Sequence, residues 1–131
     1  MVDTMGNLLT VLVHSASVQD YHGARDVLHR LNQHAWPRLK KIWADAIYKG
    51  DKQLKRWVKR RFKWELEVLE RDPQLKGFQV LPKRWVVERT FAWLGRNRRL
   101  SKDYEFRPAY SESWIYAAMS FLLARRLAIN N

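Results

Sequence analysis

The alternation of apolar and polar positions divides this 131-residue chain into segments of two different periods. In "KWELEVLE" (residues 63–70) the period is two: Trp64, Leu66 and Val68 fall to one face and Glu65 and Glu67 to the other, the pattern of a half-buried strand. From Tyr21 to about His34 the apolar positions Ala24, Val27, Leu28 and Leu31 recur at three and four, predicting an amphipathic helix that ends before Pro37. Residues 51–62 predict a second, strongly basic helix with Leu54, Trp57, Val58 and Phe62 inward. Pro82 suits the first turn of a third helix and Gly95 its stop, with Val87, Phe91 and Leu94 expected in the core. A last helix is expected from Ser111 as N-cap, with Glu112 in its first turn and Arg125 and Arg126 in its last.

Shorter signals complete the pattern. "LKKIWADAIYKG" reads as a strand ending near Asp45 and closed by Gly50, and residues 78–81 as another strand after the turn "DPQLKG". The opening "VDTMGNLLTVLVHSA" reads as a hairpin with its turn at residues 4–7 and a β-branched run at 8–13. Strands interleave with helices, so the expected class is α/β, and the length suits one domain.

Charge adds a partner to this picture. The balance is 25 Lys+Arg against 13 Asp+Glu, a formal net charge of +12, which favours polyanions, with nucleic acid first and a merely solvated basic surface as the plainer alternative. The excess is concentrated: residues 38–63 carry eleven Lys/Arg against two Asp, and residues 83–107 carry eight against three acids. With no cysteine, disulfides and thiolate-ligated zinc are excluded. His22, His29 and His34 are spaced seven and five apart, not at the four of a metal pair stacked on one helix face, and they read as ordinary surface or interface histidines. The uncharged apolar stretch at 113–124 falls short of the roughly 20 residues a membrane span needs. The opening lacks the basic region and cleavage site of a secretory signal. An intracellular, membrane-free setting is therefore expected.

One carboxylate stands out. "PKRWVVERTFAWLGRNRRL" (residues 82–100) places eight Lys, Arg and Trp residues around Glu88 alone, and Arg84, Glu88, Ala92 and Arg96 form a line four apart on the helix. Arg84 and Glu88 could make an ordinary i,i+4 ion pair. Alternatively Glu88 is a metal ligand, partnered by Asp45 at a strand's C-terminal end, where open α/β sheets place ligands. Two such acids within basic and aromatic surface suggest divalent-metal phosphodiester chemistry.

These residues carry a resemblance. "WADAIYKG" followed by "LPKRWVVERTFAWLGRNRRLSKDYE" resembles the C-terminal two-thirds of the catalytic domain of DDE transposases from bacterial insertion sequences, in the subgroup with an Arg-x-x-x-Glu helix. "VDTMGNLLTVLVHSASVQD" is similar to the hairpin that precedes the second catalytic Asp there, so the resemblance spans essentially the whole chain. It implies an RNase H-like mixed sheet with flanking helices, Mg²⁺ (or Mn²⁺) dependence, and DNA cleavage and strand transfer at insertion-sequence ends in the bacterial cytoplasm, at the nucleoid. Asp45 would be the second catalytic carboxylate and Glu88 the third. Arg84 would contact phosphate or orient Glu88, beside the basic residues Arg89, Arg96, Arg98 and Arg99. The first block would add Lys40, Lys41, Lys55, Arg56, Lys59, Arg60 and Arg61 as DNA contacts.

Three departures from that family pattern accompany it. The first catalytic Asp is expected on a strand upstream of the hairpin, in a segment this chain lacks, and Asp3 matches the hairpin-turn Asp instead. The fold is thus expected to be truncated by its first strand, inactive alone, and inclined to self-associate or to pair with an upstream transposase fragment. Ile47 stands where the family usually has Gly, so the turn after Asp45 is expected to be altered. Gly95 stands where a basic residue is common, with Arg96 adjacent. The competing function is a non-catalytic, sequence-blind DNA-binding module or remnant. Trp43, Trp57, Trp85 and Trp93 read more readily as core aromatics than as base-stacking platforms.

Overall fold

The computed structural model describes residues 1–15, 17–18, 20–49, 51–70, 74 and 83–129, without the side chains of residues 20–22 and 84. Gly50, Pro82, the strand expected at 78–81 and all but Gln74 of the turn before it lie outside the described residues. The chain forms two compact units, one of residues 32–85 and one joining 1–31 with 86–131.

The 32–85 unit is a βαβ crossover. β1 (Lys41–Ala44) and β2 (Glu65–Val68) pair in parallel, Lys41 opposite Glu65 and Ala44 opposite Val68, with α2 (Lys52–Phe62) as the connection. Parallel strands require such a crossover, because a tight turn cannot reverse the chain twice. Leu54, Val58 and Phe62 recur one turn apart and are buried, while Trp57 is half-buried, its ring edge-on to Phe62 at 5.1 Å. Each fully buried side chain of this kind contributes about 1.5–3 kcal/mol. Phe62 stacks on Trp64 at 4.9 Å, and Trp64 and Leu66 face inward as the period of two requires.

Both ends of α2 are fixed locally. The Asp51 carboxylate accepts from the Leu54 N–H at 2.8 Å as N-cap. At the other end Lys63 takes a left-handed φ of 62° and donates its N–H to the Lys59 carbonyl, in a position glycine usually fills. That conformation costs a lysine about 1–2 kcal/mol.

The second unit contains α1 (Asp20–Leu31), α3 (Arg84–Gly95, whose first two residues belong to the other unit) and α4 (Pro108–Ile129), with the N-terminal segment laid across them. The expected hairpin is present as a turn: Asp3 accepts from the N–H groups of Met5 and Asn7 at 2.8 Å, and Gly6 has φ +83°. Its pairing shrinks to one antiparallel bridge, Val2 with Leu8, so the β-branched run at 8–13 is not a strand. Side chains take over the pairing there. Arg30 donates to the Val11 carbonyl at 2.8 Å and to Glu112 at 2.5 Å, and Glu112 accepts from the Val13 N–H at 3.0 Å.

Two helix readings need correction. α4 begins at Pro108 rather than at Ser111, since proline at the first helical position has no N–H to leave unpaired. Ser111 is buried inside the helix and donates to Asp103 at 3.0 Å, so it is no cap. On α3 the buried side is Val86 and Thr90, whereas Val87 and Phe91 are 42% and 69% exposed. The helix is turned this way because the Thr90 hydroxyl sits 2.9 Å from both the Gly6 and Val86 carbonyls, against the N-terminal turn. Hydrophobicity alone favoured the wrong face.

Among the described residues the architecture is α/β with a two-stranded parallel sheet; its one antiparallel pairing is the bridge at Val2. A Cβ on Gly6 would lie 2.9 Å from both Thr90 and Trp93, in a conformation L-residues avoid. Gly6→Ala is therefore expected to destabilise the chain by more than about 1 kcal/mol in urea unfolding. Unchanged stability would show that this close approach does not hold α3.

Candidate functional site

Asp45 follows the last residue of β1, at the strand's C-terminal end, and its side chain is exposed. One carboxylate oxygen accepts from the Ala46 N–H at 2.6 Å, capping the 3₁₀ turn Ala46–Tyr48. Ile47 lies within that turn at ordinary negative φ, so the chain leaves Asp45 without needing glycine's conformational freedom. The replacement expected to alter the turn is accommodated as a tight helical one.

Glu88 is exposed near the middle of α3, on the side opposite buried Val86 and Thr90. It does not sit at the packed seam that the expected core face implied. Phe91, one turn on, and Trp85, 48% exposed, leave apolar surface on the helix that carries it. Asp45 and Glu88 belong to different units, and each is placed here within its own. Among the described residues no three His, Asp or Glu side chains gather as a metal-binding group. Both acids nevertheless offer exposed oxygen donors, the chemistry Mg²⁺ prefers.

The expected cations divide by what they touch. Arg89 donates to the Met5 carbonyl at 2.9 Å, and its guanidinium lies 4.7 Å from the Trp93 ring centre. Arg126 approaches the same ring to 4.1 Å and donates to Asn7 at 2.8 Å. Trp93 is thus a half-buried cation–π platform and Trp85 is an exposed residue, so neither is the core aromatic that periodicity suggested. Arg99 pairs with Glu105 and lies over Tyr104 and Trp114, whereas Arg96 and Arg98 are exposed. Arg84 opens α3.

In the other unit Lys40 is exposed and Lys41 bridges two acids, reaching Glu67 at 3.0 Å and Glu65 at 3.6 Å. The Glu67 hydrogen bond holds the Lys41 ammonium above its usual range. Reciprocally, the hydrogen bond and charge of Lys41, with smaller contributions from Trp43 and Lys55, hold the Glu67 carboxyl below its own. Lys55, Arg56, Lys59, Arg60 and Arg61 all project from α2 into solvent. So do Lys52 and Lys63, which periodicity did not single out, although the charge count of the 38–63 block includes them.

Comparison with known families decides what these residues belong to: the profile of the transposase DDE domain family matches residues 1–123. The chain belongs to that family. No curated protein and no solved structure matches it. Membership brings an RNase H-like fold to the observed α/β elements, DNA as partner and divalent-metal dependence as the family's general habit. Among the described residues of this transposase domain no helix is long and apolar enough to cross a membrane.

The Lys41–Glu67 pair yields a pH signature. A depressed carboxyl stabilises the fold above the ordinary glutamate range and loses that contribution as pH falls through the folded value; a raised lysine loses its contribution as pH rises through its own. By NMR titration Glu67 should protonate below the ordinary glutamate range, and Lys41→Met should bring it back towards the ordinary value. An unmoved Glu67 curve in that variant would show that Lys41 is not the cause.

Proposed function

We propose that this chain is the catalytic part of an insertion-sequence transposase of the Arg-x-x-x-Glu subgroup, residues 1–131 forming one partial catalytic domain in which Asp45 and Glu88 hold a divalent metal. The observation that carries the reading is the family match over residues 1–123. The exposed strand-end carboxylate of Asp45 and the exposed Glu88 carboxylate on α3 support it.

When bound, Mg²⁺ or Mn²⁺ supplies charge stabilisation at phosphate oxygens and lowers the pKa of an attacking hydroxyl. Asp45 and Glu88 contribute hard oxygen ligands. Arg84, one turn before Glu88, orients that carboxylate or meets phosphate, while Arg96, Arg98 and Lys40 contribute positive potential along the DNA. In the first step water forms a bond to phosphorus and the 3′ oxygen leaves as a hydroxyl. In the second, that 3′-hydroxyl forms the new phosphodiester and displaces a 3′ oxygen of the target strand, so the number of ester bonds is conserved.

Two carboxylates underfill such a site, so the third is supplied by a strand ending in Asp, on a joined segment or on a partner fragment. Alone, the chain binds DNA in the bacterial cytoplasm without cutting it. A second reading, a non-catalytic DNA-binding module, is favoured by the cation-covered face of α2, which requires neither acid.

The two separate cleanly in one assay. The chain is joined to an upstream segment carrying a strand that ends in Asp, and Mg²⁺-dependent nicking of element-end DNA is measured. Asp45→Asn and Glu88→Gln should each lower the rate at least about 100-fold, more than loss of an outer-shell partner costs a metal site. Nicking retained in both variants would reject the carboxylate roles. Nicking absent even with both acids intact would favour the binding module.

A further inference from the structure

The outer face of α2 is charged in a way the fold does not require. Lys52, Lys55, Arg56, Lys59 and Arg60 occupy one arc of about 140° opposite buried Leu54, Val58 and Phe62. Lys63, exposed at the C-cap, adds a sixth cation. The helix itself contains no acidic residue. Among the described residues none of these six is in a salt bridge, and Arg56 reaches only the Lys52 carbonyl, at 3.3 Å. Lys52/Arg56, Lys55/Lys59 and Arg56/Arg60 are like-charge pairs four apart, each destabilising. Lys52 stands at the first helical position, where the helix dipole disfavours a cation. Lys63 occupies a left-handed position that glycine would fill without strain. Repulsion along the helix, the dipole at Lys52 and the backbone conformation at Lys63 are thus overridden in favour of positive charge, while Lys59 and Arg60 lie in the last turn, where the dipole favours them.

We infer that α2 is a rail for the phosphate backbone of duplex DNA, read without regard to base sequence. The inference deepens the DNA-binding part of the proposed function and is independent of the metal-binding acids. From Lys52 to Arg60 the arc runs about 12 Å along the helix axis. Over that length one strand of duplex DNA presents about three or four phosphates, so the arc carries enough cations to meet each phosphate within its reach. An anionic membrane would need apolar side chains among the cations to insert, and those of α2 face the sheet. A single strand would need aromatic platforms on the same arc, and it has none, since Trp57 packs edge-on against Phe62 outside it. Chain order places the start of α2 seven residues after the strand-end Asp45 cap, so a duplex on this face begins near the sheet edge that carries Asp45.

The test titrates the full chain against two 20-base-pair duplexes of unrelated sequence across a range of salt. EDTA is present throughout, so failure of the metal reading cannot affect the result. Replacing Lys55, Arg56, Lys59 and Arg60 by Gln should reduce the slope of log affinity against log salt by about 0.9 for each cation, or about 3 to 4 in all, equally for both duplexes. The double variants Lys55→Gln/Lys59→Gln and Arg56→Gln/Arg60→Gln should each remove about half of that. Without DNA the quadruple variant should melt at or above the parent, because repulsion is relieved; duplex should raise the melting temperature of the parent and not of the variant. An unchanged slope, a loss confined to one duplex, or tighter binding to single strands or to phosphatidylserine vesicles than to duplex would each overturn the inference.

Discussion

Three apolar side chains one turn apart, Leu54, Val58 and Phe62, decide most of what the 32–85 unit can do. Their burial fixes the rotation of α2 about its own axis, and with it the side on which every cation of the helix must emerge. The same packing holds the crossover that makes β1 and β2 parallel, so both strands end at one edge. Asp45 is exposed there because it caps the turn that leaves β1. A single hydrophobic line therefore sets the direction of the basic face and supports the strand whose end displays the acid.

The other unit reaches a comparable result by different means. Few backbone bonds tie its N-terminal segment to another strand, so side chains do so: Arg30 and Glu112 clasp residues 11–13 between α1 and α4, and Thr90 receives the turn at Gly6. The Arg30–Glu112 pair is partly buried, and both groups also bind backbone, a geometry that offsets the cost of withdrawing the charges from water. Arg89 and Arg126 over Trp93 extend this stitching from α3 to α4. The outcome is an α3 turned so that Glu88 faces outward.

What could be read from the sequence follows from how local each signal is. The βαβ elements were legible, because period two in Trp64–Val68 and period four in Leu54–Phe62 are both dictated by one buried face. The hairpin turn was legible from its Asp and Gly, but not the failure of its strand, since β-branched residues favour extended backbone without saying what they pair with. The face of α3 was misread for a related reason: Val87 and Phe91 are the more hydrophobic candidates, yet a threonine buried by two carbonyls and a glycine without a side chain chose Val86 and Thr90 instead. The start of α4 was missed because serine is a good cap in general, while Pro108 three residues earlier is a better first helical residue. The basic block that contains α2 was legible from charge counting, whereas the arc its cations form required the observed rotation of the helix; the roles of Asp45 and Glu88 rest on the strand and helix pattern and on the motif resemblance.

The proposed metal role requires Asp45 and Glu88 to share one cation. Paramagnetic broadening by Mn²⁺ reports this directly in the backbone NMR spectrum of the chain joined to its Asp-bearing strand. Signals of Ala44–Ala46 and of Val87–Arg89 should broaden together at the same Mn²⁺ concentration, and both sets should recover in Asp45→Asn. Broadening of one set alone, or of two sets at unrelated concentrations, would contradict it.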